Sequence, residues 1–294
     1  MRIVTLLPSA TDIVVSLGLE EMLVGVSHEC NGYQNKIRKL TSSAVKSSHS
    51  SKEIHQSIQD ILKKTLSIYK VKFNLLKHLN PDVIITQSQC NVCAVSIDQV
   101  KIGLNDLIEK KPKLIDLKPN SFSDVCNDII QVGHYLGVKK KSNSLVIKMN
   151  KRINTIQRKL IGTKKQNVLC VEWLDPIMTA GNWIPDLLEF VNAKSFNQEP
   201  GEKSLFMSLE NIPLKKIDSV IFMPCGFKIR KTKREIKRLK LHNLFEGKDL
   251  YIVDGERYFN RPGPKLLESV EILSEILHPA IFKARPGFDR WIRL

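Results

Sequence analysis

Residues 3–18 read IVTLLPSATDIVVSLG, in which an apolar run is followed by a helix signal. The run Arg2–Leu6 predicts a buried strand, and Ser9 is a residue type that caps helices. We therefore expect a helix over Ala10–Leu17 that ends at Gly18, since glycine commonly closes a helix. This strand-turn-helix opening is typical of α/β proteins.

A second opening of the same kind lies near the middle of the chain. Val168–Val171 predicts another buried strand, and after a loop the segment Pro185–Val191 predicts a helix. Two further strand pairs repeat at one offset of 136 positions, from 82 to 218 and from 113 to 249. An equal offset at two places predicts two similar α/β halves in tandem.

The connection between the halves is predicted to be helical. Phe122–Leu136 has helical periodicity, Gly137 interrupts it, and Lys141–Ile161 carries a second apolar stripe. We expect an α/β fold with two Rossmann-like lobes, each with a mainly parallel sheet, joined by one long helix. The expected boundaries are 1–120 for the N-terminal lobe, 121–162 for the connecting helical segment, 163–280 for the C-terminal lobe and 281–294 for a basic tail.

The composition is that of a globular protein, with 42% hydrophobic and 26% charged residues. No apolar run approaches the roughly 18 to 20 residues that cross a bilayer, so we expect no membrane span. Pro8 and Asp12 interrupt the apolar N-terminal stretch, which argues against a signal peptide and predicts a cytoplasmic protein.

The chain is strongly basic, with a formal net charge of +16. The run Lys228–Lys240 predicts a helix with Ile229, Ile236 and Leu239 near one face and cations on a solvated remainder. A nucleic-acid partner is the less favoured interpretation because aromatic residues make up 6% of the chain and no RNP-like or zinc-finger pattern is present.

Uncommon polar and aromatic residues follow five of the predicted strands. In open parallel sheets, ligands bind beyond the carboxyl ends of the strands, so these residues are the candidate ligand contacts. For Trp173 and Trp183 a place in the core is an equal alternative. The candidates are Glu29, Gln87, Gln89, Glu172, Trp173, Asp175, Trp183, Gly226, Tyr258, Asn260 and Arg261.

Several thiols fall at the same strand ends. Cys90 and Cys93 form a C-x-x-C pair, which has three interpretations: a redox dithiol, half of a metal site or a chance spacing. A zinc ribbon would need a second C-x-x-C pair, and the sequence has none. Cys126 and Cys170 are predicted to be core residues. The candidate metal ligands are His28, Cys30, Cys90, Cys93 and Cys225.

At these clusters the chain resembles the helical-backbone (class III) periplasmic binding proteins, whose best-known members bind cobalamin (vitamin B12) or ferric siderophores for ABC importers. The resemblance covers nearly the whole chain, and the subgroup of cobalamin-binding or ABC-transporter substrate-binding proteins is similar in the segments SHEC, TQSQCNVCAVS, EWLDPIMTAGNW, MPCGF and YFNRPGP. It implies two lobes joined by a long helix, a small metal-chelate ligand in an interlobe cleft and an ABC permease as partner.

Three hypotheses follow. The first is a solute-binding protein that takes a corrinoid or a metal-chelate-sized ligand, and it favours a binding protein over an enzyme while leaving any catalytic residues unassigned. The second is a cytosolic metal-binding protein or thiol-dependent enzyme in which the cysteines hold a thiophilic metal or act as redox thiols. The third is a nucleic-acid-associated protein that uses the basic helices. The cofactor is accordingly cobalamin, a thiolate-bound metal or none.

Overall fold

The computed structural model describes residues 1–30, 37–65, 67–89, 95, 97–104, 111–285 and 290–294. The chain forms two compact units. The first lobe comprises Met1–His49, Gln56–Pro119 and Cys126–Leu145, and the second lobe comprises Ser50–His55, Asn120–Val125 and Val146–Leu294.

The first lobe is built on a parallel sheet. Its strands are β1 (Ile3–Thr5), β2 (Leu23–Val26), β3 (Arg38–Lys39), β4 (Thr41–Ser43), β5 (Tyr69–Val71), β6 (Val83–Gln87) and β7 (Lys113–Leu117). The strand order is β3-β2-β1-β6-β7, with every pair parallel, while β4 and β5 form a separate antiparallel pair. Val4 of β1 and Ile84 of β6 pack with Leu40, Leu76 and Val100 into one apolar core.

Six helices begin in the first part of the chain. They are α1 (Pro8–Ser16), α2 (Ser51–Leu62), α3 (Phe73–Leu79), α4 (Ile97–Leu104), α5 (Phe122–Tyr135) and α6 (Lys139–Lys159). Helices α2, α5 and α6 each contain residues of both lobes. Helix α6 is the long helix that the sequence predicts, shifted by two residues toward the N-terminus, with Met149, Ile153, Ile156 and Leu160 buried.

The second lobe has a mixed sheet around a parallel centre. Its strands are β8 (Gln166–Leu174), β9 (Ile177–Thr179), β10 (Ala193–Ser195), β11 (Leu205–Phe206), β12 (Ser219–Phe222), β13 (Asp249–Val253) and β14 (Trp291–Arg293). The order is β11-β9-β8-β12-β13-β14, and β10 pairs with the first half of β8. Its helices are α7 (Ile184–Phe190), α8 (Ile229–Arg238), α9 (Leu241–Leu244) and α10 (Leu266–Leu277).

The internal repeat is visible in the strand register. Val83 pairs with Lys113 in the first lobe, and Ser219 pairs with Asp249 in the second, so both partners move by the same 136 positions. The neighbouring strand gives Ile3 opposite Val83 and Val168 opposite Ser219. Each lobe therefore contains the same three-stranded parallel ladder, and the predicted fold class is confirmed.

Two local predictions need correction. Ser9 is not the cap of α1: Leu7 is in the extended conformation of a cap residue, and Pro8 takes the first helical position, where its missing N–H costs nothing. The segment predicted as a basic tail contains β14, which pairs antiparallel with β13. Its Arg290 forms a buried ion pair with Glu275 on α10, so this end of the chain is part of the second lobe.

Candidate functional site

The loop after β2 places a neutral histidine at the carboxyl end of the first sheet. The Nδ1 atom of His28 lies 2.7 Å from Thr41 Oγ1, and its backbone N–H donates to the same oxygen at 2.9 Å. Burial lowers the pKa of His28, and the charges of Lys39 and Lys72 lower it further. The imidazole is therefore held in its uncharged form at neutral pH.

The next two residues of this loop differ in their surroundings. Glu29 is partly exposed and accepts a hydrogen bond from the hydroxyl of Tyr69 at 3.2 Å. Cys30 is buried, and its Sγ lies 3.1 Å from the hydroxyl oxygen of Thr11, which also contacts Thr5 at 2.7 Å. The Cys30 thiol thus belongs to a buried cluster with two hydroxyl groups.

The end of β6 carries an amide pair. Gln87 is buried, and its Nε2 donates to Gln89 Oε1 at 3.0 Å. Within the described residues, Gln87 Oε1 has no hydrogen-bond donor. A buried amide oxygen without a donor costs free energy, so this acceptor favours a ligand that brings an N–H or O–H group. Cys90 and Cys93 follow directly and lie outside the described residues.

In the second lobe, the end of β8 holds a carboxyl group between two donors. Glu172 is partly buried. Its Oε2 accepts a hydrogen bond from the hydroxyl of Ser204, and its Oε1 accepts one from Cys225 Sγ at 3.7 Å. Burial raises the pKa of Glu172, although both donors act in the opposite direction. The site thus retains a poorly solvated carboxyl group that ionises at a free-energy cost.

Trp173, the next residue of β8, forms an aromatic and cation–π cluster with Phe227 and Lys231. The ring of Trp173 lies 5.3 Å from the ring of Phe227, and the ammonium group of Lys231 sits 3.7 Å above the Phe227 centroid. Burial lowers the pKa of Lys231 to about 8. Trp173 is buried, and its indole N–H has no acceptor in the part of the chain that the structure describes.

The loop after β13 is tied to the loop after β12. The Nδ2 group of Asn260 donates to the carbonyl oxygens of Met223 at 2.9 Å and Gly255 at 3.0 Å. A side-chain carbon at Gly255 would lie 2.5 Å from the Pro224 carbonyl oxygen, so only glycine allows this approach. Asn260 therefore fixes the spacing of two adjacent strand ends.

Arg261 follows on the same loop and pairs with Glu256 at 3.7 Å. Asp175 is partly exposed at the end of β8, and Gly226 is exposed with φ of 68°, which places a turn beside Cys225. All these residues lie at the carboxyl ends of neighbouring parallel strands, as the sequence predicts.

Trp183 and Tyr258 are interior residues. Trp183 donates from Nε1 to the Phe259 carbonyl oxygen at 2.9 Å, and Tyr258 is 2% exposed. Both rings are buried, which agrees with the core alternative for Trp183, and a ligand contact by either ring stays a prediction. Their structural contribution is to support the strand-end loops from within the lobe.

The proposed metal ligands are not assembled by the described residues. Nowhere in the described ranges do three His, Cys, Asp or Glu side chains meet in an arrangement that could hold a metal ion. His28 and Cys30 belong to the first lobe and Cys225 to the second. A metal site that includes Cys90 and Cys93 stays a prediction.

Sequence reasoning missed three residues of the second-lobe site. Ser204 lies on a loop far from Glu172 in the sequence, and no local pattern links the two. Phe227 and Lys231 lie in or next to the basic run, which was interpreted as a solvated surface. One sequence feature could have pointed to Phe227 as a site residue, namely its position directly after the Cys225-Gly226 turn at a strand end.

The comparisons with known proteins agree with this architecture. A family model described as periplasmic binding protein matches residues 3–248. The chain belongs to the periplasmic binding protein family. The ABC transporter substrate-binding lipoprotein YvrC of Bacillus subtilis, itself uncharacterized, is 25% identical over 96% of this chain and 81% of its own length.

Solved structures of other periplasmic binding proteins share the fold. The vitamin B12 binding protein BtuF of Vibrio cholerae superposes with a TM-score of 0.66 at 15% identity, covering 95% of this chain and 97% of its own. The heme-binding protein RhuT of Roseiflexus sp. RS-1, solved without ligand, gives a TM-score of 0.66 at 16% identity, covering 95% and 98%.

Family membership settles the general activity. The protein is a solute-binding protein of the ABC transporter type. None of the helices in the described ranges combines the length and the apolar character that crossing a bilayer requires. The predicted cytoplasmic location receives no support from relatives that are periplasmic or lipoproteins.

Proposed function

We propose that this binding protein takes a corrinoid or another metal chelate of comparable size, held by the loops at the carboxyl ends of the parallel strands. The family and the ligands of two structural relatives, vitamin B12 and heme, support this ligand class. Both are large tetrapyrroles with a rigid apolar ring and a polar rim. Such a ligand needs a few well-placed polar contacts around extended apolar area.

The observation that carries the proposal is the environment of Glu172. A carboxyl group that is desolvated at a strand end, yet still reachable at the lobe surface, reduces stability at neutral pH. Proteins retain such groups at functional sites, where the cost is offset by a role in binding. An acceptor held by Ser204 and Cys225 is suited to the N–H groups of a ligand's amide side chains.

Other residues of the two strand ends would complete the recognition. Gln87 Oε1 would accept a further donor, and Arg261 would bind a carbonyl, carboxylate or phosphate oxygen. The predicted contacts by Glu29, Gln89 and Asp175 stay proposals of the same kind, since each is partly exposed at a strand end. The prediction that both sets of loops face one interlobe cleft also stays a prediction.

The test is an absorbance titration of cyanocobalamin, hemin and a ferric siderophore with the purified full chain. We expect saturable binding of at least one of them with one ligand per chain. Glu172→Gln is expected to weaken binding by roughly tenfold, the effect of one hydrogen bond to a charged group. Glu246→Gln, an exposed change of the same chemistry in the same lobe, is the matched control and should leave affinity unchanged.

The titration also separates the ligand classes. A corrinoid presents neutral amides, whereas heme presents two carboxylates. If heme is the ligand, Arg261→Gln should therefore weaken the binding of heme more than the binding of cobalamin. Binding that is unaffected by either substitution would place the ligand elsewhere. If no chelate binds, and metal is instead lost on replacing Cys90 and Cys93 by Ser, the thiol hypothesis replaces this proposal.

Family membership supports a proposal on the transport partner and the cellular location. We propose that the protein works outside the cytoplasm and delivers its solute to an ABC transporter permease, as expected for a relative of a substrate-binding lipoprotein. Protease digestion of intact cells tests the location: an extracytoplasmic protein is degraded, while a cytoplasmic control protein survives.

A further inference from the structure

The exposed face of helix α6 in the second lobe is unusually basic. Residues 146–165 contain no Asp or Glu. They contain seven cationic residues, namely Lys148, Lys151, Arg152, Arg158, Lys159, Lys164 and Lys165. Within the described residues, Lys148, Lys151 and Arg158 form no ion pair, so their charges are not neutralised by the fold.

Two apolar side chains stand among these cations. Ile147 is 66% exposed and Ile161 is 83% exposed, whereas the buried face of the helix accounts for its other apolar residues. Positions 147, 151, 154 and 158 follow the spacing of one helical face, and together they line a single shallow depression. Ile147 therefore shares one helical face with the cations Lys151 and Arg158, and Ile161 is exposed just beyond the end of α6.

The basic surface continues onto the segment that follows α10. The ammonium group of Lys159 lies 5.7 Å from the centroid of Phe282, and Ile281 is 41% exposed. Arg152 and Arg285 both pair with Glu271, so that acid is already occupied. The patch thus has apolar and cationic side chains from two segments of one lobe.

We infer that this surface, defined by Ile147, Lys148, Lys151, Arg158 and Ile161, binds the headgroup region of an anionic lipid bilayer. Lysine and arginine near such a membrane each contribute favourable binding, and apolar side chains insert at the boundary with the acyl chains. A nucleic acid fits the patch less well, because residues 146–165 contain no aromatic side chain on which bases would stack, and the neighbouring Phe282 ring already faces the ammonium group of Lys159.

The inference is tested by cosedimentation of the full chain with vesicles of phosphatidylglycerol and phosphatidylcholine at about 0.1 M salt, where surface charges still act over about 10 Å. We expect binding to anionic vesicles and none to pure phosphatidylcholine. Replacing both Lys151 and Arg158 by Gln should reduce the partitioning of the protein onto anionic vesicles by about 25-fold, because each cation contributes about fivefold. Ile147→Ser should reduce it by about fivefold, with little dependence on salt.

A charge-matched variant provides the control. Lys233→Gln with Lys237→Gln removes two exposed cations from α8 in the same lobe and should leave vesicle binding nearly unchanged. An equal loss in this control would show a diffuse effect of net charge and overturn the inference. So would an absence of binding to anionic vesicles, or tighter binding to DNA that Ile147→Ser does not affect. All five substituted positions are exposed, and unchanged thermal unfolding verifies that the variants fold.

Discussion

Replacing Glu172 by Gln is expected to stabilise the second lobe at neutral pH while it weakens ligand binding. Burial raises the pKa of Glu172 above its usual range, and each unit of that shift costs about 1.4 kcal/mol when the carboxyl group is ionised. Glutamine removes this cost and keeps one oxygen acceptor for Ser204. The weaker contact from Cys225 Sγ, at 3.7 Å, is lost or rearranged, at no more than about 1 kcal/mol.

We expect a net gain in stability at neutral pH, measured as a higher Tm for the variant, because the raised pKa makes ionisation of Glu172 costly in the folded protein. The stability gain of Glu172→Gln over the wild type should increase as the pH rises. Wild-type stability falls as the pH rises from the unfolded-state pKa of this carboxyl group through its higher folded-state pKa, because the folded protein holds the proton more tightly. The advantage of the variant is therefore complete above the folded-state pKa and vanishes below the unfolded-state pKa.

Tryptophan fluorescence makes the assay specific to one lobe, since Trp173, Trp183 and Trp291 all belong to the second lobe. Urea unfolding at about pH 4 and at pH 7 should show a difference between variant and wild type at the higher pH, and none for Glu246→Gln. A variant that is destabilised at pH 7 and binds ligand with unchanged affinity would refute the reasoning, because Glu172 would then be a purely structural acceptor.

Three further predictions concern the two lobes. Arg290→Met should cost about 3–5 kcal/mol by leaving Glu275 buried without its cation, and adding Glu275→Met should recover much of the loss in urea unfolding. Asn260→Ala removes the hydrogen bond that joins the loop after β13 to Met223 in the loop after β12, together with the bond to Gly255 within its own loop, so calorimetry should show a loss of about 1–3 kcal/mol and titration a weaker ligand complex. Because burial lowers the pKa of His28, the stability of the wild type should fall as the pH drops through about 6.5 toward 5. Unfolding followed by circular dichroism should show a smaller fall for His28→Gln, and an equal fall would contradict a neutral, buried His28.

The sequence predicted most of the fold because its signals are local or periodic. The 136-residue offset corresponds to an actual ladder register, since Val83–Lys113 and Ser219–Asp249 are equivalent pairs. The buried stripe of α6 likewise follows from helical periodicity. Strand β14 was missed because a three-residue edge strand has no period to detect, and its pairing with β13 depends on the tertiary fold.

The site was predicted less completely because its contacts are not local. Polar residues at strand ends were found from the rule that parallel strands share one functional edge, which located Glu172 and Asn260. Their partners were not found, since Ser204 reaches Glu172 from a separate loop and Lys231 reaches Phe227 from a helix that appeared to be solvated. Trp183 and Tyr258 were candidate contacts, with the core as an equal alternative for Trp183, and their burial depends on packing in the tertiary fold.

The most direct test of solute binding is native mass spectrometry of the full chain mixed with equimolar cyanocobalamin, hemin and a ferric siderophore. We expect a mass increase of one chelate per chain, reduced in Glu172→Gln and retained when Cys90 and Cys93 are both Ser. A chain that takes up none of the three, or whose mass rises only by a metal ion that disappears with those two cysteines, would contradict it.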